Sequence, residues 1–371
     1  MKTSWRLIIL EALTPLVAIL FASLVGSVIL AGIGKNPVAV YAGMFRFSFQ
    51  RFDSVAAILF RSTPLIFSGL AVALGFRAGL FNIGVEGQYF IGAMLAAWAG
   101  FGLRGLPAAV HLPLVIALGM AGGALWALLP IWLKVRRGVH EVITTIMMNY
   151  IAYSLVHYFV ADLYMDRGQK LFMGLGSPQV RTPHIAESAR MPTLHGLLAG
   201  LGVELPRHVY LNWFFPLALL LAVGFYYLLW RTPFGYEVRA VGLGADAAEA
   251  AGIDTRRVLL RTFLLSGAVA GLTGLSPLLS YIGYLDIDFP KNYGFNGIAV
   301  ALLGKNHPLG IVLSALLFGF LDRGAEGVQA LQGVPMDAIA IIQGVMVLSI
   351  VVAVELMTRY VRRQQKKEAV S

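Results

Sequence analysis

Cysteine is absent from this 371-residue chain, which removes disulfides and thiolate metal sites and says little about redox compartment. Charge is scarce as well. Asp, Glu, Lys and Arg make up 13% of the residues, about half the share usual in soluble domains. Acids are the scarcer sign, 19 against 29 bases, for a net charge of +10. No phosphate-cradling loop is present: Gly34-Lys35-Asn36 and Gly304-Lys305-Asn306 lack the upstream glycine spacing and the Ser/Thr. The chain is therefore not expected to hydrolyse ATP by itself. His-Glu-x-x-His and Gly-x-Ser-x-Gly are missing too, and Asp286 and Asp288, beside Pro290, read as an external loop. Catalysis is not expected.

What is abundant is apolar surface. Hydrophobic residues make up 58% of the chain and the mean hydropathy is +0.75. Continuous apolar runs long enough to span about 30 Å of hydrocarbon recur throughout. They are Leu7–Ile33, Val55–Phe76, Val110–Leu133, Val142–Ala161, Trp213–Trp230, Val258–Leu279 and Ala338–Met357. Continuous runs exclude a β-barrel, whose strands alternate. The first run is too long for a signal-peptide core and reads as an uncleaved helix. The bases are scattered between spans, against a nucleic-acid face and in favour of membrane orientation. Lys2, Arg6, Lys134, Arg136, Arg137, Arg231, Arg239, Arg256, Arg257, Arg261 and the tail Arg359–Lys367 fall on one side if the N-terminus is cytoplasmic. Arg46, Arg51 and Arg61 fall on the other.

The fold class expected is an all-α polytopic membrane protein with about ten transmembrane elements, some short or broken. No soluble domain is visible, so residues 1–371 form one transmembrane unit. Within it, 162–211 is an external loop, 231–257 a cytoplasmic loop and 358–371 a basic cytoplasmic tail. Between Val258–Leu279 and the basic tail, Phe295–Leu321 must make no net crossing or two short ones, with the turn at Lys305-Asn306-His307-Pro308. Phe-Asn pairs at Phe81-Asn82 and Phe295-Asn296 follow spans ending on opposite sides, as an inverted repeat would require.

The segment Gly79–Gln88, G-L-F-N-I-G-V-E-G-Q, places Glu86 in a lipid-adapted chain. An ionisable group at membrane depth costs ~2.5 kcal/mol or more, so it faces a cavity or a partner. Two readings stand: Glu86 lines a solute path, or it bonds glycine amides and holds a broken helix in shape. Asn82 and Gln88 share that ambiguity. Glu141, Thr145 and Asn149 lie on one helical face, which lines a pore or bonds a neighbouring helix, the latter favoured for Thr145. Tyr281, Tyr284, Phe289, Tyr293 and Phe295 form an interfacial belt or a stacking surface for a ring-shaped solute. In the cytoplasmic loop, Asp246 reads as a helix cap, Ala247, Ala248, Glu249, Ala250 and Ala251 as helix formers, and Gly252 as the stop. The result is a docking helix or a solvated turn.

Several blocks resemble one family: G-F-R-A-G-L-F-N-I-G-V-E-G-Q (Gly75–Gln88), E-V-I-T-T-I-M-M-N-Y-I-A (Glu141–Ala152), T-P-F-G-Y-E-V-R-A-V-G (Thr232–Gly242), A-A-E-A-A-G-I (Ala247–Ile253), S-G-A-V-A-G-L-T-G (Ser266–Gly274) and Y-G-F-N-G-I-A-V-A-L-L-G-K-N-H-P-L-G (Tyr293–Gly310). In order over Gly69–Gly319, they resemble ABC importer permeases of the branched-chain amino acid/ribose group, most closely its nucleoside and simple-sugar branch. The resemblance implies an importer of nucleosides, purine nucleosides on the Glu141–Tyr150 block, with simple sugars as the alternative. A proton-coupled secondary transporter is a more distant alternative. It implies an ATP-binding cassette subunit that holds ATP and magnesium, an extracytoplasmic solute-binding protein and a second, paralogous permease. This chain itself would bind no cofactor and sit in the bacterial inner membrane. Ala245–Gly252 (Ala245, Asp246, Ala247, Ala248, Glu249, Ala250, Ala251, Gly252) becomes the element that meets the ATPase, although the family signature E-A-A-x3-G is not reproduced at Glu249-Ala250-Ala251-Gly252. Asn82, Glu86, Gln88, Asn149 and Asn296 are the residues expected on the translocation path.

Overall fold

A computed structural model describes residues 5–168, 179–200, 202–203, 205–206 and 209–333, with isolated positions between 341 and 360. The basic tail beyond 360 and most of the expected span Ala338–Met357 lie outside the described residues.

The described chain is helical, with only isolated β-bridges, Arg181 to Asp286 and Thr193 to Asn212. Helix α1 (Trp5–Gly32) meets α2 (Pro37–Phe49) at a 116° bend. Asn36 starts α2 by accepting from the Val38 and Ala39 amides, with Pro37 pre-set in the first turn. Three long elements follow: α3 (Phe52–Arg77), α4 (Val85–Gly102) and α5 (Ala108–Arg137), the last stopped by Gly138 at φ 69°. Helix α6 (Glu141–Tyr158) runs into a π-turn to Leu163. Among its described residues, the segment up to Asn212 holds a 3-10 turn, Glu187–Ala189, and a short helix, α7 (His195–Gly200).

Helix α8 (Phe214–Arg231) is capped off at Thr232, whose hydroxyl accepts from Gly235 as Pro233 opens α9 (Pro233–Leu243). The short α10 (Ala245–Ala250) leads to α11 (Thr255–Gly271), started by Asp254 accepting from the Arg257 amide. A turn of helix, α12 (Leu275–Pro277), and a π-turn extend α11 to Ile282. Half-length α13 (Tyr293–Leu303) then turns through Lys305 and Asn306, both at φ 52°, into α14 (Pro308–Gln332).

Five of these elements are long and apolar enough to cross a membrane: Phe52–Arg77, Ala108–Arg137, Phe214–Arg231, Thr255–Ile282 and Pro308–Ala330; the bent α1–α2 pair makes six. The expected turn at Lys305–Pro308 is present, but only its first arm is short: α14 is a full 25 residues. The chain is a multi-pass helical protein. In its core α3 packs on α13 and α14, while α11 packs on α4 and α5. Glycines let the second group approach closely. A Cβ on Gly123 would stand 2.1 Å from the Gly267 carbonyl, and one on Gly271 2.2 Å from that of Gly119. Gly119/Gly123 and Gly267/Gly271 are thus two small-xxx-small faces packed on each other, a device that suits helix association without a hydrophobic drive.

Candidate functional site

Two helices begin inside the protein rather than at its ends. After α3 stops at Arg77, the chain turns back with Gly79 at φ 72° and lays Asn82 against Gly75 before α4 starts. Asn82 Oδ1 accepts from the Gly84 amide at 3.1 Å. The Asn82 and Gln88 side-chain amides pair face to face at 3.0 and 3.1 Å. Asn82 Nδ2 also donates to Ser266 Oγ at 2.9 Å, and that hydroxyl donates to the Ala71 carbonyl at 2.6 Å, tying the loop to α11 and α3. From α6, Asn149 Oδ1 accepts from the Gly87 amide at 2.8 Å and Nδ2 donates to the Ile83 carbonyl at 3.1 Å. Two of the free N–H groups at the start of α4, those of Gly84 and Gly87, are thereby met by side chains, one from the preceding loop and one from α6.

Helix α13 starts deeper still, after Asn292 at φ 72°, and has no side-chain cap of its own. Glu86 supplies one from α4. Its Oε1 accepts from the Asn292 amide at 2.7 Å and its Oε2 from the Gly294 amide at 2.8 Å. The hydroxyls of Tyr89 and Tyr153 also lie 2.9 Å from Oε1. Glu86 is fully buried, and these donors, with the positive end of α13, account for a carboxylate at that depth. The fit is tight: a Cβ on Gly294 would lie 2.5 Å from the Glu86 nitrogen. At the other end of α13, Arg77 donates to the Asn306 carbonyl at 2.9 and 3.1 Å, and its guanidinium stacks on Trp230 at 5.0 Å. One ten-residue stretch, Arg77–Glu86, therefore sets an anion at the N-terminus of α13 and a cation on the turn that follows its C-terminus, the polarity its dipole favours.

Of the expected path residues, Asn82, Glu86, Gln88 and Asn149 come together, all 3% exposed or less. Asn296 stands apart, half-exposed on α13, with no side-chain hydrogen bond among the described residues. The two Phe-Asn pairs are not equivalent in place: Asn82 precedes its helix, whereas Asn296 lies inside α13. Thr145 bonds its own Glu141 carbonyl at 2.7 Å, not a neighbouring helix, and packs its methyl on Gly84. Glu141 pairs with Lys134 at 2.8 Å. Phe289 and Tyr293 belong to neither a belt nor an open stacking surface. Phe289 is 1% exposed and packs edge-on against Phe90, and Tyr293 packs against Tyr89 beside Glu86.

In the loop between α8 and α11, Gly244 and not Asp246 occupies the cap position of α10. The helix is exposed except for Ala248, and Leu243 just before it is 92% exposed. Gly242 lies on the end of α3, where a Cβ would stand 2.1 Å from the Arg77 carbonyl. Among the described residues no three His, Asp or Glu side chains converge as a metal site.

Tyr89, Tyr153, Asn292 and Arg77 were not among the expected site residues. Tyr89 is one turn from Glu86, a spacing readable in advance. Tyr153 and Asn292 come from distant elements and carry no local signal.

The family profile described as "branched-chain amino acid transport system / permease component" matches residues 54–352. The chain is similar to the guanosine ABC transporter permease protein NupP of Bacillus subtilis, 36% identical over 96% of this chain and 97% of the relative. It is similar to the glucose ABC transporter permease protein TsgB13 of Haloferax volcanii, 34% identical over 94% and 88%. It is also similar to the nucleoside ABC transporter permease protein NupB of Lactococcus lactis, 32% identical over 92% and 91%. No solved structure matches.

Proposed function

Because this chain belongs to the family of branched-chain amino acid transport system permease components, we propose that it is the permease subunit of an ATP-driven nucleoside importer. The observation that carries the solute class is similarity along almost the whole chain to a guanosine and to a nucleoside permease protein. A simple-sugar importer is the second reading, favoured by the equally extensive similarity to a glucose permease protein.

The subunit works with an ATP-binding cassette ATPase that holds ATP and magnesium, an extracytoplasmic solute-binding protein and a second, paralogous permease. It sits in the bacterial inner membrane with both termini cytoplasmic, which the clusters Lys134–Arg137 and Arg231–Arg261 favour. About ten elements cross or enter the bilayer, counting α4 and the half-length α13. The exchange of partners in the core, α3 on α13 and α14 against α11 on α4 and α5, supports an inverted repeat.

The Asn82, Glu86, Gln88 and Asn149 lattice is the closed seam of the translocation path, and Asn296 the member that already faces open space. Ala245–Gly252 meets the ATPase, with Leu243 as its apolar anchor. Gly242 on Arg77 supports a direct mechanical route from there to the turn after the half-length α13.

The test is uptake by the assembled importer in proteoliposomes, with labelled guanosine or glucose, ATP inside and the proton gradient collapsed. Guanosine uptake supports the reading, glucose uptake alone moves it to the sugar branch, and loss with the gradient assigns a secondary transporter.

A further inference from the structure

Three candidate spans meet at one level: Phe52–Arg77 and Phe214–Arg231 finish there, and Pro308–Ala330 begins there. Between the last two, α8 and α14, a groove of about 580 Å³ runs away from that level. Leu219, Val223, Leu309 and Val312 are among its walls, and Tyr226 and His307 stand at its mouth. From Leu219 to Tyr226 along α8 is about 10 Å. Val223 and Leu309 are exposed, so the groove is open along its side. Such an uncovered apolar channel calls for hydrocarbon or a partner to fill it.

The mouth has a different chemistry. Tyr226 stacks on Trp230 at 5.3 Å, and the His307 ring lies 5.4 Å from the same indole. The Arg77 guanidinium rests on that indole too. Arg77 spends Nε and Nη2 on the carbonyls of the turn after α13, which leaves Nη1 unused. The Tyr226 hydroxyl, the Trp230 indole N–H and the His307 ring nitrogens have no hydrogen-bond partner among the described residues. Nor does any carboxylate among them pair with Arg77. Lys305 and Arg231 add positive charge on the elements that meet here. Helix α9 contributes one base and one acid, Arg239 and Glu237, which offset each other, so the excess stays positive. Tyr and Trp at the ends of spans sit at the level of lipid headgroups.

Unused donors and excess positive charge suit an anion, whereas the walls suit an alkyl chain. A free phosphate or a nucleotide would meet the donors and leave the walls bare. An apolar helix of a second permease would cover the walls and leave Arg77 without a counter-charge. An anionic phospholipid does both, its phosphate oxygens accepting charge-assisted bonds at the mouth. Basic pockets between spans bind lipid headgroups in this way. The fit in size concerns one chain only: a groove about 10 Å long takes the part of an acyl chain nearest the headgroup. The remainder of the lipid stays in the bilayer on the open side.

We infer that the α8–α14 groove binds one anionic phospholipid, with an acyl chain along Leu219, Val223 and Val312 and the phosphate on Arg77, Tyr226 and His307. The lipid fixes the arginine that grips the turn after α13, and so becomes a part of that joint. Its binding depends neither on the solute carried nor on which side of the membrane is external.

The test uses the assembled importer in nanodiscs of phosphatidylglycerol and phosphatidylcholine in equal amounts, released for native mass spectrometry. Phosphatidylglycerol should stay on this chain in preference to phosphatidylcholine. A phosphatidylglycerol with a photoreactive acyl chain should label the peptides that carry Leu219–Tyr226 and Pro308–Val312. Tyr226→Phe keeps the ring, removes one hydrogen bond to a charged group and should lower retention roughly tenfold. Val223→Trp should block the groove and abolish the preference. Leu220→Trp, on the neighbouring face of α8, should leave it unchanged. Val223 and Leu220 are exposed, so both variants should assemble normally, which the melting temperature checks. Equal retention of the two lipids, or an unchanged preference in Val223→Trp, overturns the site. Release of the lipid by inorganic phosphate also overturns it, because the mouth would then hold a free anion. Loss of the second permease from Val223→Trp with lipid retention intact assigns the groove to the subunit interface instead.

Discussion

Replacing Glu86 by Gln separates a cap from a path residue. The Glu86 carboxyl accepts from the amides of Asn292 and Gly294 and lies 2.9 Å from the hydroxyls of Tyr153 and Tyr89, the latter shared with the Pro290 carbonyl. A carboxamide keeps the shape but turns one acceptor into an N–H₂ donor. Wherever that donor points, it faces the Asn292 or the Gly294 amide. One buried N–H then loses its partner, at about 1–3 kcal/mol. The charge at the start of α13 is lost as well, worth up to ~2 kcal/mol in a buried setting. The terms overlap, so about 2–4 kcal/mol is expected in total. In a chain of this size that lowers the apparent Tm by roughly 3–5 °C, measured by differential scanning fluorimetry of the permease in nanodiscs. Tyr153→Phe removes one of the four donors and should cost about 1 kcal/mol. If E86Q melts with the wild type yet abolishes transport, the capping role is wrong and Glu86 acts on the solute directly. If E86Q melts early and the surviving protein transports at normal rate per assembled complex, the path assignment falls instead.

Other consequences are accessible to simpler measurements. Gly123→Ala puts a methyl 2.1 Å from the Gly267 carbonyl, far inside the roughly 3.3 Å of a close C···O contact, and should cost about 1–3 kcal/mol. An unchanged Tm for that variant would rule out the close packing of α5 on α11. Leu243→Asp touches no core residue and should leave the Tm alone while reducing co-purification of the ATPase several-fold; undiminished recovery would remove α10 and its flank from the interface. In the segment between α6 and α8, burial and then Arg181 and Arg190 hold the His184 imidazole below its ordinary value of 6.5. The folded ring refuses protons that the unfolded one accepts, so its contribution is present above pH 6.5 and fades below it. Hydrogen-exchange protection factors around residues 181–190, taken relative to the intrinsic rate at each pH, should fall at pH 5.5 relative to 7.5, and His184→Gln should flatten that response.

The long apolar spans were legible because composition alone demands them, and α3, α5, α8 and the α11–α12 run fall within a few residues of the expected limits. The turn at Lys305–His307 was legible from its polar residues between apolar arms. The starts of α4 and α13 were only half visible. Glycines near Glu86 announced a break, but what meets the freed amides comes from α6 and from 200 residues away, and no local pattern carries that information. For the same reason the choice between lining and shaping stayed open for Glu86 in the sequence: both require a carboxylate there, and only its neighbours differ. Phe289 and Tyr293 misled because an aromatic row near a span end looks the same whether it faces lipid or a buried carboxylate. The four-residue glycine spacings at Gly119/Gly123 and Gly267/Gly271 were readable as packing faces, but the pairing of one with the other was not.

The contact of Gly242 with the Arg77 carbonyl has a mechanical meaning. Side chains between two moving parts act as bearings with slack, since rotamers absorb small displacements before force is passed on. Here backbone rests on backbone, and the same arginine grips the end of α13. A joint of that kind has almost no backlash, so even a sub-ångström shift of α9 would arrive at the half-helix undiminished. Any residue larger than glycine at position 242 would not merely strain the joint but reset its resting angle, biasing the permease towards one facing before nucleotide is bound.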